Sequence, residues 1–347
     1  MARRSSTASS SPTISDVAAR AGVSLSTVSR VMNGSTTVDA GLAERVREAA
    51  LALNYTASPL ARSLVLGKTQ TIAVVVPDLA NPVFQSALRG LTTAASHQGY
   101  HVLVADSFEN VGEERVLAVE ARRRCDGIVL CAPRMSVEAL DELLPQLAPA
   151  VLINRDSSDA LAPSVVADYK SGMMQLLSHL YGFGHRHLAY ISGVTAAQSN
   201  ITRVTAIHEF VAAHPDTTID ELPGGVGFDS GYGAADAVLD SGATAALAFN
   251  DLVGMGLLGA LSERGVRVPE DISVTGFDDI PFAAYTTPPL TTASVPIEEL
   301  GVQAWDRLWA LLNGRSPAYN LSFGPLVVAR RSTGPVPVPV PEAPGTR

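Results

Sequence analysis

Four polar side chains recur at the spacing of one helical face between positions 26 and 33. They carry hydroxyl, guanidinium and amide groups: Ser26, Ser29, Arg30 and Asn33. On a helix they would share one side, while the apolar Val28, Val31 and Met32 would point the other way. Hydroxyl and amide groups can hydrogen-bond phosphates and base edges, and an arginine can bond guanine bidentately. The pattern predicts a helix that packs by one face and reads DNA with the other.

Three short helices are predicted around that face. Their expected ranges are 14–21, 24–33 and 39–53. Thr13 forms a capping pair with Asp16 before the first helix, and Ser24 can cap the second. The tight turn at Gly22 gives the first two helices the dimensions that a major groove of about 12 Å accepts. Three helices alone are equally compatible with a scaffold whose polar faces only meet water.

Basic residues are concentrated in the first 70 residues, although the whole chain is acidic. The formal net charge is −9, which by itself argues against binding to nucleic acid. Residues 1–70 carry eight Lys and Arg against four Asp and Glu, a net charge of +4, so residues 71–347 carry −13. Counterion release from phosphates requires positive charge only at the contact surface. The asymmetry favours a basic DNA-reading segment joined to an acidic domain.

A resemblance to a known family strengthens the DNA interpretation. The runs TISDVAARAGVSLSTVSRVMNG and LNYTASPLARSL resemble the signature of the lactose-repressor (LacI/GalR-type) family of transcription regulators. The resemblance implies that Leu25 and Ser26 set operator preference, and that a hinge helix over 59–66 carries Ala61 and a minor-groove wedge, Leu64. The predicted DNA-contacting residues are Thr13, Ser24, Leu25, Ser26, Thr27, Ser29, Arg30, Asn33, Thr37, Ala61 and Leu64.

Short apolar runs alternate with helical patterns after residue 70. The predicted strands are Ile72–Val76, Val102–Ala105, Gly127–Cys131, Ala150–Ile153, Leu188–Ser192, Ala245–Phe249 and Ile272–Thr275. This rhythm indicates parallel sheets covered by helices on both faces. The length of the segment suggests two similar lobes with a cleft between them, and open α/β sheets bind ligands at the carboxyl ends of their strands.

The resemblance extends to this segment and implies a ligand. The runs VPDLANPVF, DGIVLCAP, GHRHLAYISG and AFNDLVGMGLLGAL are similar to the family's periplasmic-binding-protein-like core. By family position, the effector contacts are Phe84, Asn154, Arg155, Arg203, Asn250 and Asp278. Donating arginines and amides with an accepting carboxylate suit a polyhydroxylated small molecule, with a sugar as the leading class by analogy of fold. Two alternatives stay open: a salt pair of Arg203 and Asp278 that bridges the lobes, and Asn250 as a helix cap.

Two other classes of protein compete with this regulator. Gly254, Gly256 and Gly259 spell G-x-G-x-x-G, which would suggest an oxidoreductase that binds NAD. Four residues separate the preceding apolar run from the first glycine, so the glycines should lie inside a helix and cannot wrap a pyrophosphate. A ligand carrier without a DNA role would use the same core, but it has no use for a DNA-reading face. We therefore predict no enzyme activity, no metal and no cofactor.

The fold class that we predict is an all-α helix-turn-helix head plus an α/β two-lobed core with parallel sheets. The parts are a disordered tail (1–12), a helix-turn-helix domain (13–58), a hinge helix and linker (59–69), a bilobed effector-binding and dimerisation core (70–333) and a Pro-rich disordered tail (334–347). No export signal or membrane span is visible, so we expect a cytoplasmic protein. Because one head reads few base pairs, we expect a homodimer on palindrome-like double-stranded DNA.

Overall fold

The computed structural model describes residues 12–34, 37–56, 67–157, 161–317 and 320–336, and the chain divides into two compact units, residues 1–70 and 71–347. The first unit is a helical head with α1 (Ile14–Ala21), α2 (Leu25–Met32) and α3 (Ala40–Ala52). Its core consists of small apolar side chains from all three helices: Val17, Ala18, Ala21, Val28, Val46, Ala49 and Ala50. The prediction of three helices is confirmed.

Local hydrogen bonds fix the turn between α1 and α2. Thr13 and Asp16 form the predicted capping box, in which the backbone N–H of Thr13 donates to Asp16 Oδ2 at 2.8 Å. Gly22 ends α1 with a φ of 64°, a left-handed conformation that glycine adopts without steric cost. Arg45 of α3 donates to the carbonyl of Ala21, which ties the end of α1 to the third helix.

The second unit contains twelve described strands and nine described α-helices. In chain order they are β1 (Thr71–Val76), α4 (Pro82–His97), β2 (His101–Asp106), α5 (Val111–Arg122), β3 (Gly127–Cys131), α6 (Val137–Leu147), β4 (Ala150–Ile153), β5 (Ser164–Ala167), α7 (Tyr169–Gly182), β6 (His187–Ile191), α8 (Gln198–Ala213), β7 (Thr218–Leu222), α9 (Phe228–Gly233), α10 (Ala235–Asp240), β8 (Ala245–Ala248), α11 (Asp251–Glu263), β9 (Ser273–Asp278), β10 (Thr291–Ser294), α12 (Ile297–Leu312), β11 (Asn320–Phe323) and β12 (Leu326–Val328).

These strands form two six-stranded sheets, one in each lobe. Lobe 1 has the order β11-β5-β4-β3-β1-β2, and lobe 2 has the order β12-β10-β9-β8-β6-β7. Of the strand pairs that the structure describes, all are parallel except β10 with β12. In β1, Ala73 and Val75 face one apolar cluster while Ile72 and Val74 face another, so helices cover both faces of the sheet. The predicted two-lobed α/β core is confirmed.

The structure also differs from the sequence expectations in places. Five short strands were not predicted: β5, β7, β10, β11 and β12. The core continues to Val336 rather than ending at residue 333, because Gly334 donates to Ser273 Oγ at 3.1 Å and Val336 donates to the carbonyl of Phe183 at 2.9 Å. Within the described ranges, no helix has the length and hydrophobicity that crossing a membrane requires.

Candidate nucleic-acid interface and ligand cleft

The start of α2 is organised by its cap residue, Ser24. Its hydroxyl accepts from the backbone N–H of Thr27 at 3.2 Å and shares hydrogen bonds with Ser26 Oγ at 2.8 Å and Thr27 Oγ1 at 2.9 Å. The hydroxyls therefore form a connected group at the helix N-terminus, where backbone N–H groups and the helix dipole favour a phosphate.

The polar face of α2 stands clear of the head's own core. Leu25 is 50% exposed, and Ser26 and Arg30 are exposed, while Val28 beneath them is completely buried. Arg30 makes no hydrogen bond or ion pair with any residue in the described ranges. Ser29 and Asn33 are half-buried, and Asn33 Nδ2 donates to Ser29 Oγ at 3.4 Å. This face can enter a groove without unpacking the head.

The remaining predicted DNA contacts flank this face or lie elsewhere in the sequence. Thr13 and Thr37 are exposed and Thr27 is half-buried. Ala61 and Leu64 lie outside the residues that the structure describes, so their hinge roles stay predictions.

In the second unit, the carboxyl ends of strands from both lobes face one another across a cleft. The space between them is about 30 Å³ and adjoins a second space of about 180 Å³. Five of the six predicted effector residues line the smaller space: Phe84, Asn154, Arg203, Asn250 and Asp278. Arg155 lines the adjoining one, together with Asn154. The structure thus brings the predicted set together around one connected cleft.

Arg203 of α8 is the most confined cation in the cleft. Its guanidinium carbon lies 3.9 Å from the ring centroid of Phe277, 4.5 Å from that of Phe249 and 4.7 Å from that of Tyr169. The residue is 1% exposed, and its Nε and Nη1 have no hydrogen-bond partner among the described residues. Aromatic faces stabilise the charge by cation–π attraction but leave these two donors unpaired.

Asp278, at the end of β9, is the carboxylate nearest to this arginine in the cleft wall. Its Oδ1 lies 3.8 Å from Arg203 Nη2, and burial raises the pKa of Asp278 to about 6 although Arg203 lowers it. Both residues belong to lobe 2, so the alternative of a salt pair bridging the lobes is wrong. The backbone φ of Asp278 is 101°, a strained value that the surrounding strands must hold.

Two asparagines at strand ends use their amide oxygens to hold backbone. Asn250 Oδ1 accepts from the N–H of Val253, and its Nδ2 donates to the carbonyl of Val226, both at 2.9 Å. The helix-cap alternative for Asn250 is therefore realised, and its amide is engaged at both ends. Asn154 Oδ1 accepts from the N–H of Ala167 at 2.9 Å.

Arg155 connects the two lobes. From lobe 1 its Nη1 donates to Oε1 of Gln198, the first residue of α8 in lobe 2, at 3.1 Å. Its Nη2 donates to the carbonyl of Met135 at 2.8 Å, and its buried Nε has no partner among the described residues. A hydrogen bond across the cleft makes Arg155 part of what holds the lobes together.

Arg134 and Asn81 are among the polar residues of the cleft that sequence reasoning missed. Arg134 is 6% exposed and donates from Nε and Nη2 to both carboxylate oxygens of Glu109, at 2.7 and 2.8 Å. Asn81 caps α4 by accepting from the N–H of Val83 at 3.0 Å. Both follow strands of lobe 1 at the edge where ligands are expected, and the Asn81-Pro82 pair is a helix-start signal.

The glycine motif lies inside α11, as the spacing predicts. A Cβ on Gly256 would come within 2.0 Å of the carbonyl oxygen of Phe228, whereas one on Gly259 would meet no atom within 4 Å. Gly256 thus permits the close approach of α9 to α11, and the motif is not a phosphate-binding turn after a strand.

The comparisons with known proteins agree with this geometry. A family model for bacterial regulatory proteins of the lacI family matches residues 13–58, and one for the periplasmic binding protein-like domain matches residues 177–333. The transcriptional regulator AscG of Escherichia coli (strain K12) is 31% identical over 328 residues, which cover 92% of this chain and 98% of AscG.

Solved structures of regulators share the fold over nearly the whole chain. The Lac repressor dimer bound to operator and the anti-inducer ONPF has a TM-score of 0.84 at 27% identity, covering 93% of this chain and 99% of that one. The complex of the transcriptional regulator CelR with cellobiose has a TM-score of 0.68 at 29% identity, covering 92% and 99%. The chain belongs to the lacI family of bacterial regulatory proteins.

Proposed function

We propose that this chain is a cytoplasmic transcriptional repressor that binds operator DNA as a homodimer and responds to a small molecule in the cleft. The observation that carries the DNA role is the exposed polar face of α2 above the buried Val28. A face of hydroxyls and one guanidinium that has no partner among the described residues fits a major groove, whereas a ligand carrier does not require such a face. The operator-bound Lac repressor dimer with the same fold supports this role.

The proposed reading of DNA follows from the position of each side chain. Leu25 and Ser26 at the start of α2 contact base edges, and Arg30 bonds guanine. Ser24 and Thr13 place the N-termini of α2 and α1 against phosphates, which position the head without reading sequence. A dimer repeats these contacts on a second half-site, so the preferred site is palindrome-like.

The proposed effector is a sugar or a related polyhydroxylated metabolite, as the cellobiose complex of CelR supports. The two spaces that the predicted effector residues line measure about 30 and 180 Å³, and a third space of about 520 Å³ shares Val83 and Asp278 with the smaller one. Ligand pockets usually measure about 300–1,000 Å³. In this proposal, binding changes the separation of the lobes, which the Arg155–Gln198 hydrogen bond spans. Motion of the lobes is the step through which an effector changes operator affinity.

Selection of binding sites from random duplex DNA, followed by titration of the full chain, tests the DNA role. We expect an enriched palindrome-like sequence, and a log–log dependence of affinity on salt with a slope of about −0.9 per phosphate neutralised. An absence of enrichment, or affinity that does not change with salt, would contradict a DNA-reading head. A thermal-shift screen of the full chain against sugars, polyols, nucleosides and purines tests the effector class.

A further inference from the structure

The hydroxyl of Ser24 uses its full hydrogen-bonding capacity inside the head. Its oxygen accepts from the backbone N–H of Thr27 at 3.2 Å, and it lies 2.8 Å from Ser26 Oγ and 2.9 Å from Thr27 Oγ1. A hydroxyl has one proton to donate and two lone pairs that accept. The backbone N–H occupies one lone pair of Ser24, which leaves one proton and one lone pair for the two neighbouring hydroxyls.

Ser26 and Thr27 must therefore bond to Ser24 in opposite directions as long as both bonds are kept. If Thr27 accepts the proton of Ser24, Ser26 has to donate its own proton to Ser24. If Ser26 accepts that proton, Thr27 has to be the donor. The three side chains form a hydroxyl relay, Ser26–Ser24–Thr27, in which the role of one end fixes the role of the other.

The two ends of the hydroxyl relay differ in their surroundings. Ser26 is exposed on the face of α2 that is proposed to enter the major groove, whereas Thr27 is half-buried. Both residues lie in the first turn of α2, where backbone N–H groups and the helix dipole favour a phosphate. A phosphate offers only acceptors, so a threonine hydroxyl that bonds to it must donate its proton. Such charge-assisted hydrogen bonds are stronger than those between neutral groups.

We infer that Thr27 is a positioning residue for base reading, which acts on Ser26 through the hydroxyl relay. When Thr27 donates to a phosphate, it accepts from Ser24, and Ser24 in turn accepts from Ser26. Ser26 then presents only lone pairs to the groove, so it accepts from the exocyclic amino group of adenine or cytosine and cannot donate to the keto oxygen of guanine or thymine. The inference rests on the proposed DNA role of α2 and adds the chemical class of the base that Ser26 reads. A phosphate contact, which carries no sequence information by itself, thereby sets the base preference of a neighbouring side chain.

The first experiment finds the base that Ser26 reads and the group that it contacts. Sites are selected from random duplex DNA with the wild-type full chain and with Ser26→Ala, and the position whose preference is lost in the variant is the one that Ser26 reads. Every base pair carries one amino and one keto group in the major groove. Operators are made that lack the amino group at this position (purine for adenine, pyrimidin-2-one for cytosine) or the keto oxygen (2-aminopurine for guanine, 5-methylpyrimidin-2-one for thymine). We expect loss of the amino group to raise the wild-type Kd about five-fold or more, as an unpaired group in a desolvated interface does, and loss of the keto oxygen to change it about two-fold or less. The opposite order, or no position that depends on Ser26, overturns the inference.

Thr27→Val tests the hydroxyl relay itself. Valine keeps the branched shape of threonine without the hydroxyl, and the two residues have similar helix propensities. Without Thr27 Oγ1, Ser24 can give its proton to Ser26, which can then donate to a keto oxygen. A transition at the position that Ser26 reads, adenine to guanine or cytosine to thymine, exchanges the amino group for a keto oxygen and keeps the ring size. This change should weaken wild-type binding about five-fold or more, whereas in Thr27→Val the ratio of the two Kd values should fall to about two-fold or less. Thr27→Ser regains a hydroxyl and should regain the wild-type ratio.

Thr205→Val is the matched control for the loss of a threonine hydroxyl. Thr205 is exposed on α8, in the second unit, and its Oγ1 donates to the carbonyl of Ile201 at 2.9 Å. This variant should keep both the operator Kd and the ratio between the two operators. A wild-type ratio in Thr27→Val overturns the relay even if the affinity falls, because the loss of a phosphate contact alone weakens both operators alike. Intact operator binding without the expected ratios overturns only the relay, whereas a wild-type chain that ignores DNA overturns the proposed regulator.

Discussion

Replacing Arg30 with alanine should weaken operator binding far more than binding to unrelated DNA. Arg30 is exposed on α2 and is not bonded to any described residue, so its loss leaves the head's core intact. Alanine is also at least as good a helix former as arginine. A bidentate contact to guanine discriminates by about 1–3 kcal/mol. A dimer loses this contact on both half-sites, so the free energy of operator binding should weaken by about 2–6 kcal/mol, which raises the operator Kd roughly 30-fold to 2 × 10⁴-fold.

The assay is a fluorescence-anisotropy titration of the selected operator and of a scrambled duplex at one salt concentration. Arg47→Ala is the control, because it removes the same charge from α3, where Arg47 is exposed and pairs with Glu44 at 2.7 Å. We expect this control to weaken both duplexes about equally, as the loss of a phosphate attraction would. If Arg30→Ala also weakens both duplexes equally, Arg30 contacts phosphate and does not read a base.

Four other substitutions test three separate parts of the structure. The raised pKa of Asp278, about 6 against 3.8 unfolded, means that the folded chain holds this proton more tightly. The stabilisation that protonated Asp278 contributes is present below about pH 4 and is lost as pH rises through 6. Unfolding free energies measured between pH 4 and 7 should therefore fall with pH in the wild-type chain, and Asp278→Asn should remove the contribution of this carboxyl to that fall. Gly256→Ala should destabilise the core by about 1–3 kcal/mol, because the added Cβ clashes with the carbonyl oxygen of Phe228. Gly259→Ala should be neutral or stabilising, because its Cβ meets no atom within 4 Å. Equal Tm changes in the two variants would contradict close packing of α9 on α11 at Gly256. Leu64→Ala should weaken operator binding while the fold and the dimer stay intact. An unaltered operator Kd would contradict the proposal that Leu64 is a minor-groove wedge.

The elements that the sequence predicts are those with a strong pattern. The strand at Gly127–Cys131 is a continuous apolar run, fully buried as the middle of a parallel sheet requires. The missed strands are short or partly polar: β7 reads TIDEL and lies at an edge of its sheet, and β12 has three residues. The pairing of β11 and β12 depends on where the chain crosses between the lobes after β10 and β11, which no local periodicity encodes.

The candidate site was predictable where family position and chemistry coincide, as at Arg203 and Asp278. Arg134 was missed because its place in the cleft depends on Glu109, which lies 25 residues away and reaches it through a left-handed φ of 57°. The sequence is compatible with two roles for Asn250, a ligand contact and a helix cap. Both ends of its amide bond to backbone groups, a pairing that no local sequence pattern encodes.

The unpaired donors also explain how an effector can move the lobes. Opening the cleft breaks the Arg155–Gln198 hydrogen bond, and a hydrogen bond to a charged group contributes about 1.5–3 kcal/mol net. Opening also exposes the three buried nitrogens that lack acceptors, each of which costs about 1–3 kcal/mol while it stays unpaired. Summed over the three nitrogens, this cost is about 3–9 kcal/mol, against about 1.5–3 kcal/mol for the one hydrogen bond, so these groups together favour a wider cleft. An effector that supplies acceptors to Arg155 in lobe 1 and Arg203 in lobe 2 fixes a wider separation, because at any other width it reaches only one wall. The difference between the effector's affinities for the wide and the narrow cleft sets the free energy that couples effector binding to DNA binding. Hydrogen bonds to the three nitrogens are sufficient for the roughly 1–3 kcal/mol that allosteric coupling typically requires.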